Sequence, residues 1–292
     1  MTHETRFPYQ TPRAFETALT TRFKKLAGSS AFSHAQLRRQ FAYDRLLARC
    51  FVEEDRHRWI LKGGISMLAR LEQARHSADI DLAVEAESLT GALTGLRRAT
   101  SRDLGDHFTF ELSEPRSLVQ GVEGVRVPVQ ALLGRRVYEK FHVDLVTGVQ
   151  VTGVPEMSEP IVALDIPGLV RPDYRLYPLA DSVADKVCAI VERHQGRPST
   201  RFRDLCDLVL IARSQSLGAA DLRRRSSGQH SPGPCPAGGG FPSVCCGAVT
   251  DRHVARERHT RHPLGTGPGP TGTCSSDTSR PPPNASSPTA SR

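Results

Sequence analysis

The sequence predicts an α+β fold of mixed α/β order, with helices first, then a mixed sheet, then helices again. Three observations carry this. Apolar residues recur at helical spacing over the first 55 positions. They alternate at strand spacing in separate runs between 59 and 146. They return to helical spacing beyond 178.

The elements follow in order. Thr11-Pro12 supplies an N-cap and a proline at the first helical position, and Phe15, Leu19, Phe23 and Leu26 then share one face. Ser33 caps a second helix that carries Leu37, Phe41, Leu46 and Leu47. Trp59-Ile60-Leu61 is a short apolar run that stops at Lys62-Gly63-Gly64, and Ile65, Met67, Leu68 and Leu71 follow with helical periodicity. That unit reads as strand, glycine turn, helix. Residues 79–84 form a strand with two carboxylates on one face and Ile80 and Leu82 on the other. A helix is expected over 89–99. Strands are expected over 108–112 and 122–133, paired as a hairpin, and again over 141–146. A Pro- and Gly-rich loop fills 147–172, and helices over 179–194 and 202–214 close the body. The implied organisation is N-terminal helices (1–57), a core of sheet and helices (58–175), a C-terminal helical part (176–221) and a tail (222–292).

The tail differs in kind. The chain of 292 residues carries a net charge of +8, but nine Arg against three acids between 222 and 292 account for +6 of it. The body is nearly neutral, so the basic balance gives little support for a nucleic-acid-coating surface. The tail holds eleven Pro and ten Gly and lacks Ile, Met, Tyr, Trp and Lys. Leu222, Phe241 and Leu264 are its only large apolar residues, too few to offset about 1–2 kcal/mol of ordering entropy per residue. It is expected to be disordered. Its composition is also what GC-rich coding sequence yields in a shifted frame, with the switch near 223–227. The Cys and His residues of the tail (Cys235, Cys245, Cys246, His253, His259, His262, Cys274) have no CxxC or HxxxH spacing, so no zinc module is expected.

The start of the chain is polar, with no apolar signal region, and no run of about 18 apolar residues occurs. The body cysteines, Cys50, Cys188 and Cys206, are scattered. A reduced, cytoplasmic protein with no membrane partner is expected.

The chemistry concentrates in a few segments. Gly63-Gly64, between a strand and a helix, lets a phosphate approach unpaired amides at a helix N-terminus, with Lys62 and Ser66 adding a charge and a hydroxyl. Asp79 and Asp81 leave one strand face about 6–7 Å apart. Two carboxylates so placed repel unless a cation lies between them, and Mg²⁺ (or Mn²⁺) keeps coordination places for substrate phosphates. Two such ions about 4 Å apart would steady both oxygens of an in-line phosphoryl transfer. Asp144 alternates with His142 on a further strand, as a third metal ligand or as the acceptor of a hydroxyl proton. Lys186 lies on an otherwise apolar helix with Val183, Val187, Ile190 and Val191. Adjacent Asp185 points elsewhere, which leaves Lys186 for a triphosphate. Arg203 and Asp204 open the last helix. Ser77, two residues before Asp79, stands at the edge of the site, where an added phosphate would compete with bound cations.

Lys62-Gly63-Gly64, Arg75-His76-Ser77-Ala78-Asp79-Ile80-Asp81-Leu82, His142-Val143-Asp144-Leu145, Asp185-Lys186 and Arg201-Phe202-Arg203-Asp204-Leu205-Cys206-Asp207-Leu208 occur in one order. Together they resemble the AbiEii/AbiGii-type nucleotidyltransferase toxins of type IV toxin–antitoxin and abortive-infection systems, over about residues 35–215. The resemblance implies a minimal nucleotidyltransferase fold related to polymerase β. It implies Mg²⁺ and a nucleoside triphosphate, with NMP transferred to the 3′ end of tRNA so that translation stops. It implies a cognate winged-helix antitoxin from a neighbouring gene, and no DNA partner. By that resemblance Asp79 and Asp81 hold metal, Gly63, Gly64 and Ser66 hold the triphosphate, Lys186 contacts phosphate and Asp204 completes the catalytic set. The reading of the residues themselves adds Asp144 to the catalytic and metal set and Lys62, Ser77 and Arg203 to the nucleotide-binding set. Two departures stand out: Ile65 occupies the place after the glycine pair where relatives often carry a hydroxyl, and the tail replaces further C-terminal helices. The alternatives are transfer to a protein hydroxyl or a small molecule, and an inactive nucleotide-binding remnant.

Overall fold

The computed structural model describes residues 6–218 and 222, apart from 72, 87, 119–122, 192, 195 and 196. The tail beyond Leu222, with its expected disorder and shifted frame, lies outside the described residues.

The helices form where their caps and apolar stripes place them. In α1 (Pro12–Ala27) the Thr11 hydroxyl accepts from the Ala14 amide, and Phe15, Leu19 and Phe23 are buried. In α2 (His34–Cys50) Ser33 and Gln36 form a reciprocal capping box. Then come β1 (Trp59–Lys62), α3 (Gly63–Arg70), β2 (Asp79–Val84), α4 (Leu89–Thr100), β3 (Phe108–Leu112), β4 (Arg116–Ser117), β5 (Gly124–Leu133) and β6 (Arg136–Val146). The chain continues through β7 (Glu156–Ser158), β8 (Tyr174–Leu176), α5 (Leu179–Val191), β9 (Arg193–His194), β10 (Arg197–Pro198) and α6 (Phe202–Ser214).

The main sheet runs β3-β5-β6-β2-β1-β8-β7, with β4 also paired to β5. It is mixed: β2 with β6 and β1 with β8 are parallel, and the other pairs are antiparallel. Ile80, Leu82, Val143 and Leu145 are fully buried on the face that α2 and α4 help to cover. The alternation of β2 and β6 therefore sends their polar residues to the opposite face.

Three expectations are corrected. The strand expected over 141–146 begins at Arg136, because β5 and β6 join in a tight hairpin whose Gly134 sits at φ +61°. Arg135, Arg136, Glu139 and Lys140 break the apolar run there, so alternation alone did not reveal it. The loop 147–172 contains β7, which pairs with β8. The helix expected over 179–194 ends at Val191, and β9 and β10 pair as a short hairpin before α6.

α2 is buried from Gln40 to Cys50, and its charged residues are accordingly all partnered. Arg45 and Arg49 both bond Asp106, at 2.7 and 2.8 Å. Asp44 accepts from the amides of Ile161 and Val162 and from the Tyr174 hydroxyl. The Tyr43 hydroxyl donates to the Ala78 carbonyl at 2.7 Å, fixing α2 against the entry to β2 and so against the polar face beyond it.

Candidate active site

The polar face is organised by register. Lys62 pairs with Asp81, Asp81 with Asp144, Asp144 with Arg126, and Arg126 with Arg116. Residues directly opposite in a ladder point to the same side. One rung across β1, β2, β6, β5 and β4 thus reads cation, acid, acid, cation, cation. Two residues back along β2, Asp79 is opposite His142, whose Nδ1 lies 3.3 Å from Asp79 Oδ1.

The adjacent acids are unequal. Burial, then the charges of Asp144 and Asp79, push the Asp81 carboxyl up to about 6. Asp144 is held by the Arg126 guanidinium through two bonds of 2.7 Å, and the same guanidinium lies 3.6 Å from Asp79. Its hydrogen bond to Asp144 raises the Arg126 pKa further.

The glycine pair has a steric cause within the protein. Gly63 has φ +62°, and a Cβ there would meet Asp81 Oδ2 at 1.8 Å. A Cβ on Gly64 would meet the Ser77 Oγ at 2.6 Å. Glycine at both positions lets α3 begin directly against the carboxylate strand. Among the described residues the N-cap Lys62 makes no side-chain cap bond to α3, whose first amides could therefore meet an anion. Lys62 lies 3.3 Å from Asp185 and 4.1 Å from the centre of the Tyr177 ring. Ser66 is buried, and its hydroxyl donates to the Gly63 carbonyl at 2.9 Å. Ser77 lies just before β2 and is buried, with its hydroxyl donating to the Asp79 carbonyl.

The other half of the set sits on α5 and α6. Lys186 lies 2.8 Å from Asp204 and 2.7 Å from Asp207, and Arg75 grips Asp207 through two bonds of 3.0 Å. The expectation that Lys186 lacks an acid of its own is corrected here: the acids come from α6, not from the preceding residue. Nor is the apolar stripe of α5 continuous, since Val183 is buried but Val191 is half exposed. Arg203 is exposed and makes no ion pair among the described residues. Lys186 is close enough to Asp81 to favour its charged form.

The structure thus gathers Lys62, Gly63, Gly64, Ser77, Asp79, Asp81 and Asp144 at one place, and joins Lys186 directly to Asp204 and, through Asp207, to Arg75. Arg126 has no place in the sequence reading, and Arg75, Asp185 and Asp207 stand in its motifs without a role in the site. Asp207 carried a signal, standing three residues after Asp204 and so on the same helix face. Arg126 carried a weaker one, a lone charge inside an apolar strand. Among the described residues, no three His, Cys, Asp or Glu side chains are already gathered to hold a metal ion. The donors are nevertheless of the hard-oxygen type that Mg²⁺ takes, and Asp79, Asp81 and Asp144 stand on neighbouring strands in register.

A glycine turn at a helix N-terminus against a cluster of carboxylates is a layout that suits a nucleotidyltransferase. Residues 45–230 match the family described as the nucleotidyl transferase AbiEii toxin of type IV toxin–antitoxin systems. The chain belongs to that family, and a cognate antitoxin is the partner the family implies. Comparison with curated proteins gives no match. Among the described residues no helix is long and apolar enough to cross a membrane.

Proposed function

We propose that the protein transfers NMP from a nucleoside triphosphate, with Mg²⁺ or Mn²⁺, to the 3′ end of an RNA, with tRNA as the acceptor. The observation that carries this reading is the pairing of Asp81 with Asp144 in one rung, beside Asp79 and against the Gly63-Gly64 turn. Asp79, Asp81 and Asp144 would hold the metal, which supplies charge stabilisation at the α-phosphate and at the leaving oxygen. The first amides of α3 and the Lys62 ammonium take the phosphate chain. Lys186, steered by Asp204 and Asp207, neutralises the pyrophosphate as it leaves. The alternative role for Asp144 is to receive the proton of the attacking hydroxyl in place of holding metal.

The acceptor assignment draws on a cavity of about 580 Å³ that adjoins Asp79 and is lined by Arg39, Arg126, Lys140 and His142. Cations so placed suit an anionic phosphodiester chain better than a basic protein segment. The test is incubation of the purified chain with each α-³²P-labelled NTP, Mg²⁺, total tRNA and a protein extract. Label in tRNA that shifts its 3′ end supports the reading. Label in protein alone, or none with any NTP, overturns it.

A further inference from the structure

We propose that Arg126 is a built-in counter-ion, holding the carboxylates apart from metal until a divalent cation displaces it, and that its guanidinium then engages a backbone phosphate of the acceptor. This rests on the proposed transfer to RNA only for the identity of that acceptor.

The geometry points to a surrogate cation. Arg126 is the cross-strand partner of Asp144 and reaches both its oxygens at 2.7 Å, while a guanidinium nitrogen lies 3.6 Å from Asp79. One planar charge thus spans two of the three carboxylates on the face. A divalent ion bridging the same carboxylates needs those lone pairs, so the two cations compete for one set of acceptors.

The displaced group has somewhere to go. Arg126 also lines the cavity beside Asp79, together with Arg39, Lys140 and His142. Its side chain is about 40% exposed, so rotation toward the groove encounters no packed core. Arg39 is already paired to Glu139, at 2.9 Å, whereas Lys140 has no acid within ion-pair distance among the described residues. A phosphodiester laid along β5 and β6 would meet Lys140 and the freed Arg126, a planar fork that matches phosphate oxygens. Metal arrival and acceptor binding are thereby coupled through one side chain: each favours the outward arginine.

The experiment compares the full chain with Arg126→Met, which keeps the aliphatic length and removes the charge. Mn²⁺ is titrated without nucleotide, by calorimetry. Removing the competitor should tighten Mn²⁺ binding about tenfold, and unchanged or weaker binding overturns the proposal. Melting is followed in chelator and with Mn²⁺. The variant should melt lower than wild type in chelator and gain more from Mn²⁺. A variant that fails to fold under either condition makes Arg126 a brace of the sheet and overturns the proposal. A short single-stranded RNA is then titrated with and without Mn²⁺. Mn²⁺ should strengthen RNA binding to wild type and lose that effect in Arg126→Met, and no effect in wild type overturns the hand-over to phosphate. Failure of the two readings is distinguishable. Tightened Mn²⁺ binding without transfer to RNA sinks the proposed reaction alone, and intact transfer without tightening sinks this inference alone.

Discussion

Asp81 and Asp144 are register partners on β2 and β6, two carboxylates side by side on one face of parallel strands. Like charges in that relation destabilise a sheet. Here Lys62 and Arg126 bracket them in the same rung, and Asp81 still has its carboxyl pushed up to about 6 by burial and by its two acidic neighbours.

The first prediction concerns that cluster. Asp79→Asn and Asp81→Asn should each fold normally and each lose NMP transfer by about a thousandfold or more, since the metal loses a ligand in either case. The double variant should be little worse than either single one, because the residues act as one unit. Circular dichroism confirms folding, and labelled-NTP transfer reads activity. A folded Asp79→Asn with full Mg²⁺-dependent transfer would remove the metal role.

The second follows from the close approach of Gly63 to Asp81. Gly63→Ala forces a Cβ into the Asp81 carboxylate and a positive φ on alanine, a cost of about 2–4 kcal/mol. The melting temperature should fall by about 2–4 °C for each kcal/mol in a domain of this size. Adding Asp81→Ala should recover part of that loss by removing the carboxylate oxygens. If the double variant melts at the sum of the two single losses, the two residues are not in contact.

The third concerns Lys186, whose position between Asp204 and Asp207 ties α5 to α6. Lys186→Met leaves the buried Asp207 with Arg75 as its partner, so stability should fall by about 1–3 kcal/mol. The proposed role at the pyrophosphate adds a second effect, a rise in NTP KM of about tenfold or a matching loss of kcat. Asp207→Asn should weaken both less, because it acts through Lys186 and Arg75 as a positioning residue. Should Lys186→Met melt early yet show unaltered NTP kinetics, its part is confined to holding the two helices together.

Much of this was legible in the sequence because it is local. The Ser33 cap, the strand that stops at Gly63 and the same-face pair Asp79 and Asp81 each follow from spacing within a few residues. What was not legible is long-range. Arg126 meets Asp144 only because β5 and β6 form a hairpin in one register, and polar residues at its exposed end hid that hairpin. Asp207 reaches Arg75 across 132 positions, a pairing that no local pattern encodes. The glycine pair was legible as a feature, but half of its cause was not, since Asp81 and Ser77 fill the space that a side chain would need.

The last prediction is a pH dependence of stability from a site remote from the rung. Asp44 is buried within α2, and Oδ1 accepts from the Ile161 amide and the Tyr174 hydroxyl while Oδ2 accepts from the Val162 amide. Burial pushes its carboxyl up from 3.8 to about 6, although those three bonds and the charge of Arg171 oppose the rise. Between these values the folded protein keeps a proton that the unfolded chain has released. Stability from this group is therefore fully present below about pH 3.8, declines as pH rises through about 6, and is flat above that. The whole decline amounts to about 3 kcal/mol at most, at about 1.4 kcal/mol per unit. Asp81 also titrates near 6, so the comparison must isolate Asp44. Asp44→Asn does so, because an amide does not titrate. Denaturant unfolding of both proteins at several pH values from 4 to 7 gives the difference. The variant should be less stable at every pH, since its amide nitrogen faces a backbone N–H where a carboxylate oxygen accepted one. Its deficit should be largest near pH 4 and shrink toward pH 7 as the wild type loses the advantage of its held proton. A deficit that stays constant or grows across that range would show that Asp44 is ionised throughout and that its three bonds outweigh burial.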